Sequence, residues 1–168
     1  MQNVIYRSIT KEDEIFLWEI LFQAAHMASS ETIESAKKHP ILSRYVKDFG
    51  EEQTDIGYLA IDEISNVKIG AAWVRLLTGD RKGYSYIDNS TPELAMAVTP
   101  NYRNKGIGSN LLNLVIQKAK NQFNSIGLSV RDTNPAFKLY KRFNFCTIKN
   151  GSIPNRVGGT SYLMKLKL

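Results

Sequence analysis

Apolar side chains fall on every second residue at Leu94, Met96 and Val98, and at helical spacing at Ile107, Leu111, Leu114, Val115 and Ala119. The first period predicts a strand over Glu93–Val98 and the second a helix over 106–123. Alternate residues share one strand face, whereas residues three and four apart share one helix face. Upstream, residues 3–9 read as a strand. Thr10 and Asp13 resemble a capping box that opens a helix running to about Met27, apolar on nearly every side. Such a helix is expected to be buried on more than one face, against the sheet and beside a cleft or a partner subunit. Residues 31–38 and 41–49 read as two short helices divided at His39 and Pro40, the second closed by Gly50 in a left-handed conformation. Their polar mix predicts a surface element.

Residues 58–64 and 68–77 predict a hairpin turning at Ser65 and Asn66, and residues 78–92 part strand and part loop. A strand is expected over 125–130. Asn134 suits a helix N-cap and Pro135 the first helical position, with Ala136, Leu139, Tyr140 and Phe143 on one face and Asn144 as the left-handed stop. A short strand over 145–148, a loop rich in Gly, Asn and Pro over 149–159 and a final strand over 160–167 complete the chain. This order predicts an α/β fold, a mixed sheet covered by helices, in one domain spanning 1–168.

Composition narrows the setting. The 168 residues, 43% hydrophobic, suffice for one buried core, and the lone Cys146 has no partner for an intramolecular disulfide. The most apolar run, 15–27, is interrupted by Glu19, Gln23 and His26 and is shorter than the ~20 residues a membrane span requires. With no signal-peptide pattern at the start, a cytoplasmic protein without a membrane is expected. A net charge of +6 attracts polyanions, but the 22 Lys and Arg are scattered and accompany no nucleic-acid-binding motif, so no nucleic acid is expected. His26 and His39 lack ligand-spaced neighbours, so no metal site is expected.

The chemistry concentrates in ELAMAVTPNYRNKGIGSNLLNLVIQKA, residues 93–119. A strand runs into a basic loop of Arg103, Asn104 and Lys105, and Gly106, Ile107 and Gly108 open a helix. Unpaired N–H groups and partial positive charge at a helix start attract an anion, and glycine lets a phosphate approach the backbone. A dinucleotide fingerprint would need Gly or Ala where Leu111 stands, and a P-loop would need Gly-Lys-Ser/Thr; both fail.

The segment Arg103–Gly108 resembles the Arg/Gln-x-x-Gly-x-Gly/Ala signature of the GNAT superfamily of N-acetyltransferases. A second block, TNPAFKLYKRFNF over 133–145, is similar to that family's Asn-x-x-Ala-x-x-Leu-Tyr-x-x-x-Gly-Phe block, with Asn144 in place of the usual Gly. The resemblance implies a largely antiparallel sheet of six or seven strands with helices on both faces. It also implies a bulge in the 93–98 strand that splays two central parallel strands into a V.

By the same resemblance, acetyl-CoA is the co-substrate. Its pyrophosphate would lie on Arg103, Asn104, Lys105, Gly106, Ile107, Gly108 and Ser109. Its pantetheine arm would run along Met96, Ala97 and Val98 and meet Asn134, whose other reading is an N-cap alone. Tyr140 would face the sulfur as general acid, and Glu93 would be the general base for the amine, with water as the alternative. A backbone N–H near Ala97 or Val98 would meet the developing oxyanion. Tyr84, Tyr86, Asp88 and the loop 151–159 fall where the family builds its acceptor pocket. The expected activity is direct acetyl transfer to a primary amine on a small molecule or peptide; the alternative is an acetyl-CoA sensor without turnover. The apolar first helix also suits a homodimer interface.

Overall fold

The computed structural model describes residues 3–26, 30–155 and 158–168. Its strands are β1 (Val4–Ser8), β2 (Ile56–Asp62), β3 (Val67–Arg75), β4 (Glu93–Val98), β5 (Ser125–Arg131), β6 (Cys146–Pro154) and β7 (Thr160–Lys167). The helices are α1 (Glu14–Ala24), α2 (Ile33–Lys38), α3 (Ile107–Ala119) and α4 (Ala136–Arg142). One sheet has the order β1-β2-β3-β4-β5-β7-β6. Every neighbouring pair is antiparallel except β4 and β5, which are parallel and share the single register pair Glu93↔Gly127.

Period two sorts the sheet's side chains into two cores. Ala72, Val74 and Leu94 face Ile107, Leu111, Leu112 and Val115 of α3. Leu59, Ala71, Trp73 and Ala95 face Leu17, Ile20 and Leu21 of α1. The helix is apolar all round because the sheet covers one side while α2 and the segment around Leu42, Tyr45, Val46 and Phe49 cover another. The faces that suggested a partner subunit are thus largely buried within this chain, although Ile15 stays 79% exposed.

Several turns follow the expected chemistry. Gly50, Asn66 and Asn144 have φ of 89°, 55° and 66°, the left-handed geometry that Gly and Asn tolerate. The Thr10 N–H donates to Asp13 Oδ2 at 2.9 Å, one half of the capping box, although a 3-10 turn over Lys11–Asp13 precedes α1. The helix ends at Ala24, and the expected continuation to Met27 falls outside the described residues.

Other expectations are corrected. Residues 41–49 form no α-helix but a 3-10 turn over Leu42–Tyr45, and the segment is no surface element. Leu42, Tyr45, Val46 and Phe49 are all buried at i, i+3, i+4 and i+7, an apolar face within the polar mix. Residues 78–92 contain no strand; a 3-10 turn over Gly79–Arg81 and turns carry the chain to β4. β6 extends through most of the expected loop to Pro154, because pairing with β7 supplies hydrogen bonds that outweigh the turn propensity of its Gly, Asn and Pro. Its ladder is irregular between Thr147 and Ser152, where Asn150 has φ of 60°. The β3–β4 ladder runs without a shift from Gly70↔Val98 to Arg75↔Glu93, so the expected bulge in β4 is absent.

Arg75 fastens the 42–49 segment to the sheet. Its guanidinium donates to Asp55 Oδ1 and Oδ2 at 2.9 and 3.1 Å and to the carbonyls of Arg44, Lys47 and Asp48 at 3.0, 2.7 and 3.3 Å. Its side chain and that of Asp55 are 5% and 1% exposed. Arg75→Met would leave the buried Asp55 carboxylate without its cation, with only the Gly50 N–H donating to it, and three carbonyls without the guanidinium, and is expected to lower the unfolding free energy by about 3–5 kcal/mol. Removing the exposed Lys37–Glu34 pair should leave stability nearly unchanged, because solvent screens both charges. Denaturant unfolding of both variants checks the contrast.

Candidate active site

The site begins where β4 leaves β5. The Gly127 N–H donates to the Pro92 carbonyl at 2.9 Å, and the Thr91 and Ser125 hydroxyls lie 2.7 Å apart, so the strands are joined at their start. A Cβ on Gly127 would meet Ile87 Cδ1 at 2.7 Å, so glycine here lets the Ile87 side chain pack against β5. Beyond Glu93↔Gly127 the strands part. The Thr99 N–H donates to the Ile69 carbonyl on β3, so alternation turns the backbone of Ala95 and Ala97 toward β3 and that of Met96 and Val98 toward the gap. Of the two residues proposed from sequence to meet an oxyanion, Val98 therefore presents its N–H to the gap and Ala97 does not.

The gap opens into a cleft of about 1090 Å³. Met96, Ala97, Val98, Arg103, Asn104, Gly106, Gly108, Ser109, Asn134 and Tyr140 all line it. Lys105 and Ile107 do not contribute side chains. The Lys105 ammonium lies 5.1 Å from the Tyr102 ring centre and borders a separate hollow beside Tyr6 and Asn110, while Ile107 is 2% exposed in the core. At one end of the cleft, Asn104 and Gly106 have φ of 61° and 80°, and the first intrahelical bond of α3 is Asn110 N–H to the Gly106 carbonyl. Among the described residues the N–H groups of Asn104 through Ser109 therefore have no acceptor, a run of donors at a helix start with open space beside Gly106. A Cβ at Gly108 would touch Met96, Val98 and Leu139 at 3.5–3.8 Å, narrowing the cleft. Arg103 is folded inward, Nε donating to the Val98 carbonyl at 2.9 Å.

Asn134 serves two ends. Its Oδ1 accepts the Ala136 N–H at 2.9 Å, which caps α4 and fixes the amide orientation, so Nδ2 faces His26 Nε2 at 3.0 Å. His26 is held below its ordinary pKa, first by burial and then by Arg131 and Arg103. With Arg131 donating to the Ala25 carbonyl, these contacts lay the end of α1 across the cleft. Tyr140 packs edge-on against Phe145, ring centres 5.7 Å apart, and burial raises its phenol above the ordinary value. Its hydroxyl makes no hydrogen bond, yet the described residues contain no buried polar atom without a partner, so the hydroxyl reaches the open cleft.

Glu93 lies behind the cleft wall, 1% exposed. Its Oε1 accepts Tyr45 Oη–H at 2.7 Å and the Ser85 N–H at 2.8 Å, and its Oε2 the Gly83 N–H at 2.9 Å. Burial raises this carboxyl above its ordinary value, against those hydrogen bonds, which lower it. A side chain at Gly83 would collide with Tyr45 and Glu93, so only glycine fits there.

The expected acceptor side is revised. Tyr84 lines the cleft, whereas Tyr86 bonds Asn89, and Asp88 is committed to Lys165 at 2.9 Å and to Ser90. None of the described residues of the loop 151–159 lines the cleft; Arg156 and Val157 lie outside the described residues. Leu21, His26, Leu42, Tyr45 and Ser85 line it without having been singled out for it from sequence. Leu42 and Tyr45 carried a partial signal, an apolar spacing shared with Val46 and Phe49 that the intervening polar residues obscure.

The cleft suits acetyl-CoA: its free N–H donors and Arg103 could hold a pyrophosphate, and the unpaired edge of β4 could pair with an amide-bearing arm. Among solved structures, the chain is similar to the Salmonella typhimurium protein YncA, solved with its cofactor acetyl-CoA. That match has 17% identity, a TM-score of 0.72, and coverage of 98% of this chain and 94% of the other. It is similar to an N-acetyltransferase from Staphylococcus aureus Mu50 at 18% identity and a TM-score of 0.71, over 98% of each chain. A chimera of the Vibrio cholerae spermidine N-acetyltransferase SpeG with hSSAT matches at 17% identity and 0.67, over 98% and 95%. At these identities the likeness concerns the fold. No curated protein matches the chain in sequence. A family model described as Acetyltransferase (GNAT) family matches residues 18–145, which include the parted strands, the donor loop and Tyr140, and the chain belongs to that family of acetyl-CoA-dependent acyltransferases.

Proposed function

We propose that the protein transfers the acetyl group of acetyl-CoA directly to a primary amine held in the same cleft. One observation carries this reading: the unpaired edge of β4 leads from the free N–H groups of Asn104–Ser109 toward the Tyr140 hydroxyl, which reaches the same cleft. Acetyl-CoA supplies an activated thioester, and the protein's work is to hold it, receive the amine and manage two protons.

Tyr140 suits the departing thiolate. A phenol with a raised pKa stays protonated at neutral pH and can donate to sulfur, and this one has no competing acceptor in the protein. The Val98 N–H is the donor proposed for the developing oxyanion. Asn134 keeps its amide turned into the cleft, where the cofactor arm would meet it.

Glu93 remains the proposed base, but its carboxylate reaches the cleft only by way of Tyr45. In this reading the ammonium gives a proton to Tyr45 Oη while the phenol's own proton passes to Glu93 Oε1, 2.7 Å away. Glu93 ends as a carboxylic acid, Tyr45 is unchanged, and the amine is neutral. Burial favours the protonated carboxyl, which eases the transfer.

Three outcomes test the assignment. Gly108→Val fills the cleft between Met96, Val98 and Leu139, and with Arg103→Ala it should weaken acetyl-CoA by about tenfold or more, read by calorimetry on folded protein. Tyr140→Phe should bind acetyl-CoA normally and lose about a hundredfold in kcat, measured as thiol release. A raised-pKa base loses activity as pH falls through its pKa, so the acidic limb of kcat/KM belongs to Glu93. Glu93→Gln and Tyr45→Phe should each flatten that limb in the pH–rate profile, and an intact limb in Tyr45→Phe would sink the relay.

A further inference from the structure

Granting acetyl transfer to an amine, on which this rests, the far end of the cleft specifies the kind of amine. Past Tyr140 the cleft is walled by Leu21, Leu42, Tyr45, Tyr84, Ser85 and Leu94. Leu21, Leu42, Tyr45 and Leu94 are 3–6% exposed, packed into a fixed apolar surface. Among the described residues, no Asp or Glu lines the cleft.

The nearby acids are occupied. Glu93 accepts from Tyr45, Gly83 and Ser85, Asp88 from Lys165 and Ser90, and Asp55 from Arg75. The polar side chains that remain in this wall are the neutral hydroxyls of Tyr45, Tyr84 and Ser85. His39 Nδ1 accepts the N–H groups of Ile41 and Leu42 at 3.2 Å, so the ring proton sits on Nε2 and points at Tyr84 Oη, 3.3 Å away. That leaves the Tyr84 hydroxyl to donate outward. Tyr45 donates to Glu93 and accepts the Ser85 N–H. A second ammonium would meet neutral hydroxyl oxygens here and no carboxylate.

The segments that supply this wall also carry cations. Arg44 Nη1 donates to the Lys82 carbonyl, tying the segment that carries Tyr45 to the one that carries Tyr84. The Lys82 ammonium lies 4.2 Å from the Tyr86 ring centre, next to that segment. A second positive charge on the acceptor would enter a largely apolar pocket in which no described lining residue is a carboxylate.

We infer that the acceptor is a primary monoamine carried on an apolar or aromatic body, with no second cationic centre. The apolar body displaces water from the leucine and tyrosine wall, the amine points back to the thioester, and a neutral oxygen on the body can accept from Tyr84. Diamines and polyamines are excluded by the same surface.

Matched amines test this without any mutation. Hexylamine and 1,6-diaminohexane share a six-carbon body and differ by the second ammonium; phenethylamine and spermidine extend the comparison. Initial rates of thiol release at saturating acetyl-CoA should give hexylamine a kcat/KM at least about tenfold above the diamine, a ratio on the scale of one desolvated charge, and phenethylamine the same advantage over spermidine. Equal rates, a preference for the diamine or spermidine, or turnover confined to peptides overturns the inferred class and leaves acetyl transfer standing. Absence of thiol release with every amine, in protein that binds acetyl-CoA, overturns both.

Discussion

A parallel pair of strands that ends after one register position governs this molecule. Glu93↔Gly127 is the last point at which β4 and β5 share a ladder. Beyond it the Met96 and Val98 backbone faces a gap, and unpaired N–H and C=O groups away from water are costly. The protein satisfies one of them with Arg103, whose Nε bonds the Val98 carbonyl. It keeps the gap open by laying the end of α1 across it, through Arg131 on Ala25 and Asn134 on His26. The unpaired edge is a place where an extended, amide-bearing ligand can supply the missing partners.

Glu93 stands at the apex of that divergence and looks away from it. Its three hydrogen bonds tie Tyr45, from a segment 48 residues earlier, to Gly83 and Ser85. The same segment is held from two other directions: Trp73 Nε1 donates to the Tyr45 carbonyl at 2.8 Å, and Arg75 gathers the carbonyls that follow. All these anchors sit on β3 and β4. The strand proposed to present its backbone to the cofactor thus also fixes the wall of Tyr45 and Ser85, which couples the two halves of the cleft through rigid elements.

The sequence made local features legible and distant ones not. The helix stop at Asn144, the turns at Gly50 and Asn66 and the cap at Asn134 depend on neighbours a few residues away, and each is found. The donor loop was readable because Gly106 and Gly108 lie beside Arg103 at a helix start. Tyr45 was not, because its role depends on Glu93 and Ser85 across the fold, and its own segment mixes polar residues into an apolar periodicity. Asp88 failed as a pocket residue for the converse reason: nothing local reveals that Lys165, 77 residues later, takes its charge. The extension of β6 likewise follows from pairing with β7, which no propensity of Asn150 or Gly151 encodes.

Saturation elsewhere defines what is reactive. The buried Glu93, Arg75 and Asp55 all have partners, Asn134 Oδ1 is spent on its cap, and no buried polar atom among the described residues is left over. What stays open at the cleft, among the described residues, is a short set: the N–H groups of Asn104 through Ser109, the Met96 backbone, the Val98 N–H and the Tyr140 hydroxyl. Each is held by structure that would exist without a ligand, so binding does not have to order it, and the free energy of association is not consumed in doing so. The groups follow one line, from charge neutralisation through backbone pairing to proton donation. That is the sequence of demands made by a long anionic thioester whose reactive carbon lies at its far end.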